Sequence, residues 1–401
     1  MNLGIASPVS LQLLSNLVDD GMQLPPGYLF APSADWIQEL MRRGHHVTVY
    51  TTAREIASPK TFFGDGITIR IAPQRTNGAG RDLFAFERRQ LQEMMAEDQC
   101  DVIHAHWTYQ FALASLSSGI PTLITIHDLP WKVLWNFRDF HRVARLFMAY
   151  EVAMRGTHFT AVSEDAANHY RRYFNPRANI TVIPNGLPDT IFELGSKPQL
   201  GARPEPVFAT VLQGWSRRKN AEAALMAFQL TRRQIPNARL LMFGLGYERD
   251  GEAHRWAVQH RLEEGVGFVG LLPYGELLNR VKTDVDVLVH PSRDESFSIA
   301  ALEAMALQKP VIAGIKTDGI REVLEFGRCG ALVDITDPAA ISAEMIRLIK
   351  DNEYSRSLAE RGFDRASKLF RLSSVITKYV SVYERIREAE RLNCDLYETA
   401  R

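Results

Sequence analysis

Two glutamates eight positions apart, Glu295 and Glu303, pose the first chemical question in "DVLVHPSRDESFSIAALEAMALQKPVIAG", Asp286 to Gly314. The segment that follows Glu295 is apolar almost all the way round, so Glu303 reads as buried. A buried carboxylate without a partner is costly or becomes protonated, and Glu303 therefore needs an internal donor or a ligand. The run "VDVLVH" reads as a strand ending at His290, and Pro291 blocks its continuation. Asp294 or Ser296 can cap a helix starting near Phe297 and running to about Gln308. The N–H groups of Ser296, Phe297, Ser298 and Ile299 then lack intrahelical acceptors, which makes an anion site. A fully helical spacing would separate the two carboxylates by about 12 Å along the axis. A glycosidase pair sits closer, at roughly 5 to 9.5 Å. Two acids flanking an anion-binding helix end suit a ligand with hydroxyls at both ends and a diphosphate between them. A nucleotide sugar has that layout.

The elements that position these residues follow from periodicity. Short β-branched runs alternate with amphipathic helical segments: "NLGIAS", "HVTVYTT", "TIRIAP", "DVIHAHW", "TLITIHD", "FTAVS" and "ITVIPNG" in the first half, then "VFATVLQG", "RLLMFG", "VGFVG", "VDVLVHPS", "PVIAG" and "GALVD". Each half reads as a doubly wound, parallel α/β sheet. Between them "ELGSKPQLGARPEP" has the Gly and Pro content of a linker. The expected organisation is a domain over 1–192, a linker over 193–206, a second domain over 207–372 and a charged C-terminal helix over 373–401 packing back on the first. In open sheets of this kind ligands sit beyond the carboxyl ends of the strands, so the expected site is a cleft between the two domains. His127 and Asp128, Asn185 and Gly186, Gly214 to Lys219, and His290 to Ser298 all follow strand-like runs.

Composition sets outer bounds. A chain of 401 residues is long for one core, and its 47 basic and 47 acidic residues create no global field toward nucleic acid or an anionic membrane. Cys100, Cys329 and Cys394 are scattered without metal-like spacing, as expected in a reducing compartment. No run is apolar and long enough to span a bilayer, and the N-terminus lacks the pattern of a secretion signal. A cytoplasmic protein is the expectation.

The block "HPSRDES" followed by "LEAMALQKPVIA", with its E-x7-E arrangement, resembles the signature of family four of the retaining glycosyltransferases, which have the two-domain GT-B fold. "MRRGHHVTVYTT", "TAVSEDA", "VIPNG", "RRKNAEAALMAF", "GFVGLLP" and "DGIREVLEFGRCGALVD" fall in the family's order and spacing across nearly the whole chain. The resemblance implies two Rossmann-like domains facing each other across the cleft, and transfer of a hexose from a nucleotide sugar to a hydroxyl acceptor. It implies that Glu303 accepts from the nucleotide ribose and that Glu295 contacts the donor sugar. The amides of Phe297 and Ser298, with Ser296 and Gly214 nearby, would lie against the sugar and diphosphate. Lys219 and Arg218 would neutralise the diphosphate, and His127 would lie beside the transferred sugar. On the acceptor side Gly27, His106 and Asp128 are the candidates; in the first loop "LPPGYLFAPSADW" replaces the family's glycine pair and only Gly27 matches, so contacts there do not carry over from the resemblance. With cations and N–H donors supplied by the protein and no DxD-type carboxylates at a suitable strand end, no metal is expected, and the nucleotide sugar is a cosubstrate rather than a cofactor.

Departures from the pattern carry information. "GWSRRKN" puts Trp215 where an Arg is usual and Asn220 where a Gly is usual, which leaves the displaced cation to Arg217 or Arg218. Gln308 stands where a helix-ending Gly is usual. Because a left-handed Gln costs on the order of 1 kcal/mol, a different helix end is expected. His104 and His106 share one strand face and suit a metal pair, but no third ligand is indicated, and they are expected to line the cleft. "WKVLWNFRDFHRVARLFMAYEVAMRG" mixes aromatic and basic residues as an interfacial helix does, yet its apolar positions suit packing on the sheet. Packing is the expectation, with peripheral contact at the inner membrane face left open for a lipid acceptor. Two rival classes share parts of the pattern: a GT-B-fold nucleotide-sugar epimerase and a nonenzymatic two-lobe sugar-binding protein.

Overall fold

Val-, Ile- and Thr-rich runs bounded by Gly, Pro and Asp form fourteen strands in the computed structural model, which describes residues 1–19, 23–28, 31–196 and 205–399. The chain divides into two units, Met1–Pro184 with the helix that starts at Leu372, and Asn185–Arg371. The first unit holds β1 (Asn2–Ala6), β2 (His46–Ala53), β3 (Lys60–Gly64), β4 (Ile67–Pro73), β5 (Val102–His106), β6 (Thr122–Ile126), β7 (His158–Ala161) and β8 (Ile180–Val182). They form one sheet in the order β3-β4-β2-β1-β5-β6-β7-β8. The sheet is parallel except at its edge, where β3 pairs antiparallel with β4 through Asp65 and Gly66, the latter at φ 71. A wholly parallel sheet was expected, but "FFGDGITI" carries a two-residue Asp-Gly turn that makes a hairpin.

The second unit holds β9 (Val207–Val211), β10 (Arg239–Phe243), β11 (Val266–Gly270), β12 (Val287–His290), β13 (Val311–Gly314) and β14 (Ala331–Val333). All are parallel, in the order β11-β10-β9-β12-β13-β14. The inner strands β5, β6, β12 and β13 are buried throughout, which is why they read as continuous apolar runs rather than alternating ones.

The change of unit falls at Pro184, not at the "ELGSK" stretch. Residues read as the start of a linker form the end of a helix, Asp189–Ser196, that packs on the helix Ile299–Ala306 of the second unit. Gly195 permits that contact, because a Cβ there would lie 1.8 Å from the Ala306 carbonyl oxygen. Buried Lys282 donates to the carbonyls of Leu194 and Gly195 and locks the same helix end. The rest of the expected linker, 197–204, lies outside the described residues.

The C-terminal helix Leu372–Thr399 joins the first unit. Leu372, Val375, Ile376, Tyr379, Val382, Tyr383 and Ile386 recur at helical spacing and enter one core with Leu3, Ile5, Val47 and Val102. Tyr383 Oη lies 2.7 Å from His104 Nδ1, and Thr125 Oγ1 lies 2.6 Å from His104 Nε2. His104 is therefore a core residue rather than a cleft-lining one.

The aromatic and basic segment divides into two helices, Pro130–Phe137 and Phe140–Arg155, with Asp139 capping the second by accepting from the Arg142 amide at 2.9 Å. Packing on the sheet accounts for Leu146, Met148 and Val152, which are buried. It does not account for Trp135, Phe140, Phe147 and Met154, which are 71%, 63%, 61% and 80% exposed.

Candidate active site

In the second unit the acid and the cations expected at a diphosphate meet directly. Lys219 Nζ donates to Glu295 Oε1 at 2.6 Å, Arg218 Nη1 lies 3.6 Å from Oε2, and His290 Nε2 lies 3.3 Å from Oε1. Lys219 is 8% exposed, and burial lowers its pKa against the opposing pull of Glu295. Burial would raise the Glu295 pKa, but Lys219, His290 and Arg218 outweigh it and hold the carboxyl well below the usual range. Burial likewise lowers the His290 pKa, so at neutral pH this imidazole is uncharged. Its Nδ1 is buried without a hydrogen-bond partner among the described residues.

The loops carrying these groups are tied together by backbone contacts. Gly214, at φ 76, turns the chain after β9, and the Lys219 amide donates to the Ser216 carbonyl at 2.9 Å. Asn220 adopts φ 53, the left-handed conformation that explains why a Gly can stand at its position. Its Nδ2 donates to the carbonyls of Pro291 and Ile335 at 3.1 and 2.8 Å, and its Oδ1 accepts from Arg293 at 2.8 Å. The Arg293 amide donates in turn to the Arg218 carbonyl at 2.8 Å. Gly319 completes the frame, since a Cβ there would lie 2.3 Å from the Glu295 carbonyl oxygen. Trp215 supplies no charge; it packs on Tyr247 and Trp256, with ring centroids 6.0 and 5.6 Å away. Of the two arginines, Arg218 is turned to the acid and also donates to the Asp294 carbonyl at 3.2 Å, whereas Arg217 is exposed.

The helix after this loop starts later and ends earlier than expected. It spans Ile299–Ala306, and its cap is Ser298, whose Oγ accepts from the Ala301 amide at 3.2 Å. Asp294 and Ser296 therefore precede the cap, and the first-turn amides of Ile299 and Ala300 replace those of Ser296 and Phe297 as donors left over by helix geometry. Phe297 is buried against Phe370 with ring centroids 5.8 Å apart. Glu303 has an internal donor: Tyr274 Oη donates to its Oε1 at 2.7 Å. Gln308 does adopt the left-handed conformation, at φ 57, against expectation. Gln308 N to Met305 O and Lys309 N to Ala304 O, 3.0 and 2.8 Å, form a Schellman end. Gln308 Nε2 donates to the Gly195 carbonyl at 3.0 Å, an interaction that offsets the backbone cost and that Gly could not make.

In the first unit His127 follows β6, and its Nε2 lies 2.8 Å from His106 Nδ1. Their rings stack at 5.0 Å, and the Trp107 ring, on a backbone at φ 67, lies 4.6 Å from His127. Burial pushes the His127 pKa down to about 3 and lowers that of His106 well below normal, so both are neutral imidazoles at pH 7. His127 is thus a neutral hydrogen-bonding group rather than a cation. Asp128 Oδ1 accepts from Tyr109 Oη at 3.0 Å. Gly27 pairs with Ser10 at φ 69, where a Cβ would meet the Val9 carbonyl oxygen at 2.6 Å.

Residues 34–190 match the model of "Glycosyltransferase Family 4", and residues 196–365 match that of "Glycosyl transferases group 1". The chain belongs to the family-four glycosyltransferases. It is 24% identical over 302 residues to N-acetyl-alpha-D-glucosaminyl L-malate synthase of Bacillus anthracis, covering 73% of this chain and 76% of that one. Sucrose-phosphate synthase from Thermosynechococcus elongatus superposes with a TM-score of 0.77 at 20% identity, covering 97% of this chain and 100% of that one. An Anabaena protein solved in complex with UDP-glucose gives 0.67 at 19% identity, covering 98% and 99%. These likenesses establish the GT-B fold of this glycosyltransferase.

Sequence reasoning on this glycosyltransferase located Glu295, Lys219, Arg218 and Ser298, which the fold brings together, and the pair His106 and His127. It did not find Tyr274 as the partner of Glu303 or Gly319 as the support of Glu295. Tyr274 opens the helix Tyr274–Asp284 and Gly319 lies in the helix Asp318–Val323, so neither is near its partner in sequence.

Proposed function

We propose that this glycosyltransferase moves a hexose from a nucleoside-diphosphate sugar to a hydroxyl acceptor with retention of anomeric configuration. The observation that carries this reading is the Lys219–Glu295–Arg218 cluster beside the start of the helix Ile299–Ala306. Breaking the anomeric C–O bond sends its electron pair to the departing diphosphate. Lys219, Arg218 and the first-turn amides stabilise that charge as it develops. The acceptor oxygen bonds to the anomeric carbon on the same face, and its proton passes to the departing phosphate oxygen. In this assignment Glu295 orients the sugar hydroxyls and, by pairing with Lys219, holds that cation in place. Glu303, with Tyr274, receives the ribose, and His127 is a neutral donor or acceptor to the transferred sugar. Neutralisation by protein cations assigns no metal a role, so a chelator should leave turnover unchanged.

The test is a thermal-shift screen of nucleoside diphosphates and their sugars. A ligand at about 100 times its dissociation constant adds about 2.7 kcal/mol. Donor binding followed by acceptor-dependent release of the diphosphate, with an α-configured product from an α-configured donor, is the expected result. Donor conversion without any acceptor, or an inverted product, would sink the reading. The relatives named above carry malate and sucrose phosphate in their names, so kinship leaves the acceptor open.

We further infer peripheral contact with an anionic bilayer through the helices Pro130–Phe137 and Phe140–Arg155. Phe140, Phe147 and Met154 recur every seventh residue and so form one outward apolar stripe. Arg138 and Arg142 lie over the Trp135 and Phe137 rings at 4.5 and 4.4 Å, a pairing of aromatic body and cationic rim suited to lipid headgroups. Flotation with vesicles containing anionic phospholipid should carry the protein upward, and Trp135→Ser with Phe147→Ser should abolish this. A wild-type protein that stays at the bottom refutes the inference.

A further inference from the structure

A second concentration of cations lies in the first unit, apart from the Lys219–Glu295–Arg218 cluster of the second. A cavity of about 330 Å³ opens there, lined by Arg54, Arg75, Asn77, Arg81, Phe140 and His141 among others. Arg54 follows the end of β2, and Gln74 and Arg75 follow the end of β4. The cavity therefore sits at the carboxyl edge of the sheet, where α/β folds take their ligands.

Its frame is held from within. Arg75 pairs with Asp82 at 2.8 Å and with Glu87, 1% exposed, at 2.7 Å, and its amide donates to the same Glu87 at 3.0 Å. Gly78, Leu83 and Phe84, at φ 79, 53 and 59, turn the chain back around these contacts. One guanidinium thus answers to two carboxylates. Arg54 and Arg81, which line the cavity, have no carboxylate partner among the described residues. Arg145, on the same helix as Phe140 and His141, has its guanidinium 4.9 Å from the Tyr109 ring centroid. Its Nε is buried without a hydrogen-bond partner among the described residues. Its charge is felt both by His141 and by Tyr28, whose hydroxyl lies 2.8 Å from the Gln74 side chain at the cavity wall. His141 is kept neutral by burial and by Arg145 and Arg142, so the cavity presents guanidinium N–H donors and an imidazole with surplus positive charge. Planar guanidinium forks match the oxygens of a phosphate.

We propose that this cavity seats a phosphate group of the acceptor, held by Arg54 and Arg81. The proposal rests on the transferase reading and specifies the acceptor's chemistry. Whether the phosphate is a soluble monoester or a lipid headgroup is a question of source, since Phe140 belongs both to the cavity wall and to the exposed apolar stripe.

The experiment measures binding of inorganic phosphate and of glycerol 3-phosphate by calorimetry at constant ionic strength. A Lys219→Met background is used so that the donor-side cation contributes little. The double variant Arg54→Ala/Arg81→Ala is compared with its parent, with Arg81→Lys as a milder second variant. Both arginines line the cavity without an ion-pair partner among the described residues, so the fold should tolerate their loss. The expected result is at least tenfold weaker binding of both probes in the double variant, with uncharged glycerol giving no heat in either protein. Binding of nucleoside diphosphates to the Arg54→Ala/Arg81→Ala protein with Lys219 intact should equal wild type; a loss there would instead fault the donor assignment. Co-sedimentation with vesicles containing phosphatidic acid, against phosphatidylcholine alone, separates the sources: loss in the double variant marks the lipid headgroup, and no change marks the soluble ester. Failure of both phosphate probes to bind, or equal binding in parent and double variant, overturns the proposal.

Discussion

Replacing Lys219 by Met strands the Glu295 carboxylate. The side chains of the pair are 10% and 11% exposed, with 2.6 Å between the charged atoms. Removing one partner from a buried pair costs about 3–5 kcal/mol, because the remaining charge keeps its desolvation penalty and loses its compensation. Arg218 at 3.6 Å and His290 at 3.3 Å remain beside Glu295. They place Lys219→Met at the lower end, about 3 kcal/mol. Glu295→Gln strands a lysine that burial already draws toward the neutral form, so shedding a proton limits that loss to about 1–2 kcal/mol. The double variant Lys219→Met/Glu295→Gln strands neither member of the buried pair, and Arg218, whose side chain is 26% exposed, keeps the Asp294 carbonyl, so the double variant should fall short of additivity by about 2 kcal/mol. Urea titrations read peptide by peptide with pulsed hydrogen exchange report the second unit separately from the first. Transfer should be lost in all three proteins, so stability and activity part company in the double variant. Losses that add to within about 0.5 kcal/mol, or a Lys219→Met loss under about 1 kcal/mol, would show both charges to be solvated and refute the reasoning.

Three further outcomes follow from individual contacts. The Glu295 pKa is depressed on folding, so its stabilisation is present above the unfolded value of about 4.3 and is lost as pH falls toward the folded one; melting of the second unit should drop with acid below that point, less steeply in Glu295→Gln. Tyr383→Phe removes the partner of His104 Nδ1 and should cost the first unit about 1–3 kcal/mol, seen as faster hydrogen exchange in β5. Gly195→Ala drives a Cβ against the Ala306 carbonyl and should cost the second unit about 1–3 kcal/mol by urea titration, whereas a linker glycine would tolerate it.

The strands were legible because most are buried on both faces and bounded by turn residues, so apolar runs and their punctuation survive in one dimension. β3 was missed although its Asp-Gly turn was visible, because the run before it is short and lies at an edge. Glu295, Lys219 and Arg218 were legible because each lies in a loop directly after a strand, where chain order and spatial position agree. Arg217 and Arg218 could not be told apart until the loop was folded, since the choice depends on which of them turns toward Glu295.

Glycine and glutamine positions show the limit most clearly. Gly195 reads as linker in sequence and is a contact residue in space; Gln308 reads as unfit for a helix end and is held there by that same Gly195. The sequence alone determined the alternation of strand and helix, the two-unit division in outline, the family signature and the local chemistry of each loop. Only the tertiary structure decided that Glu303 meets Tyr274, that Lys219 meets Glu295, that His106 fixes one nitrogen of His127, and that the C-terminal helix completes the first core. The physical reason is that these are contacts between groups far apart along the chain, and burial, which sets their energies and protonation states, exists only once the chain has closed on itself.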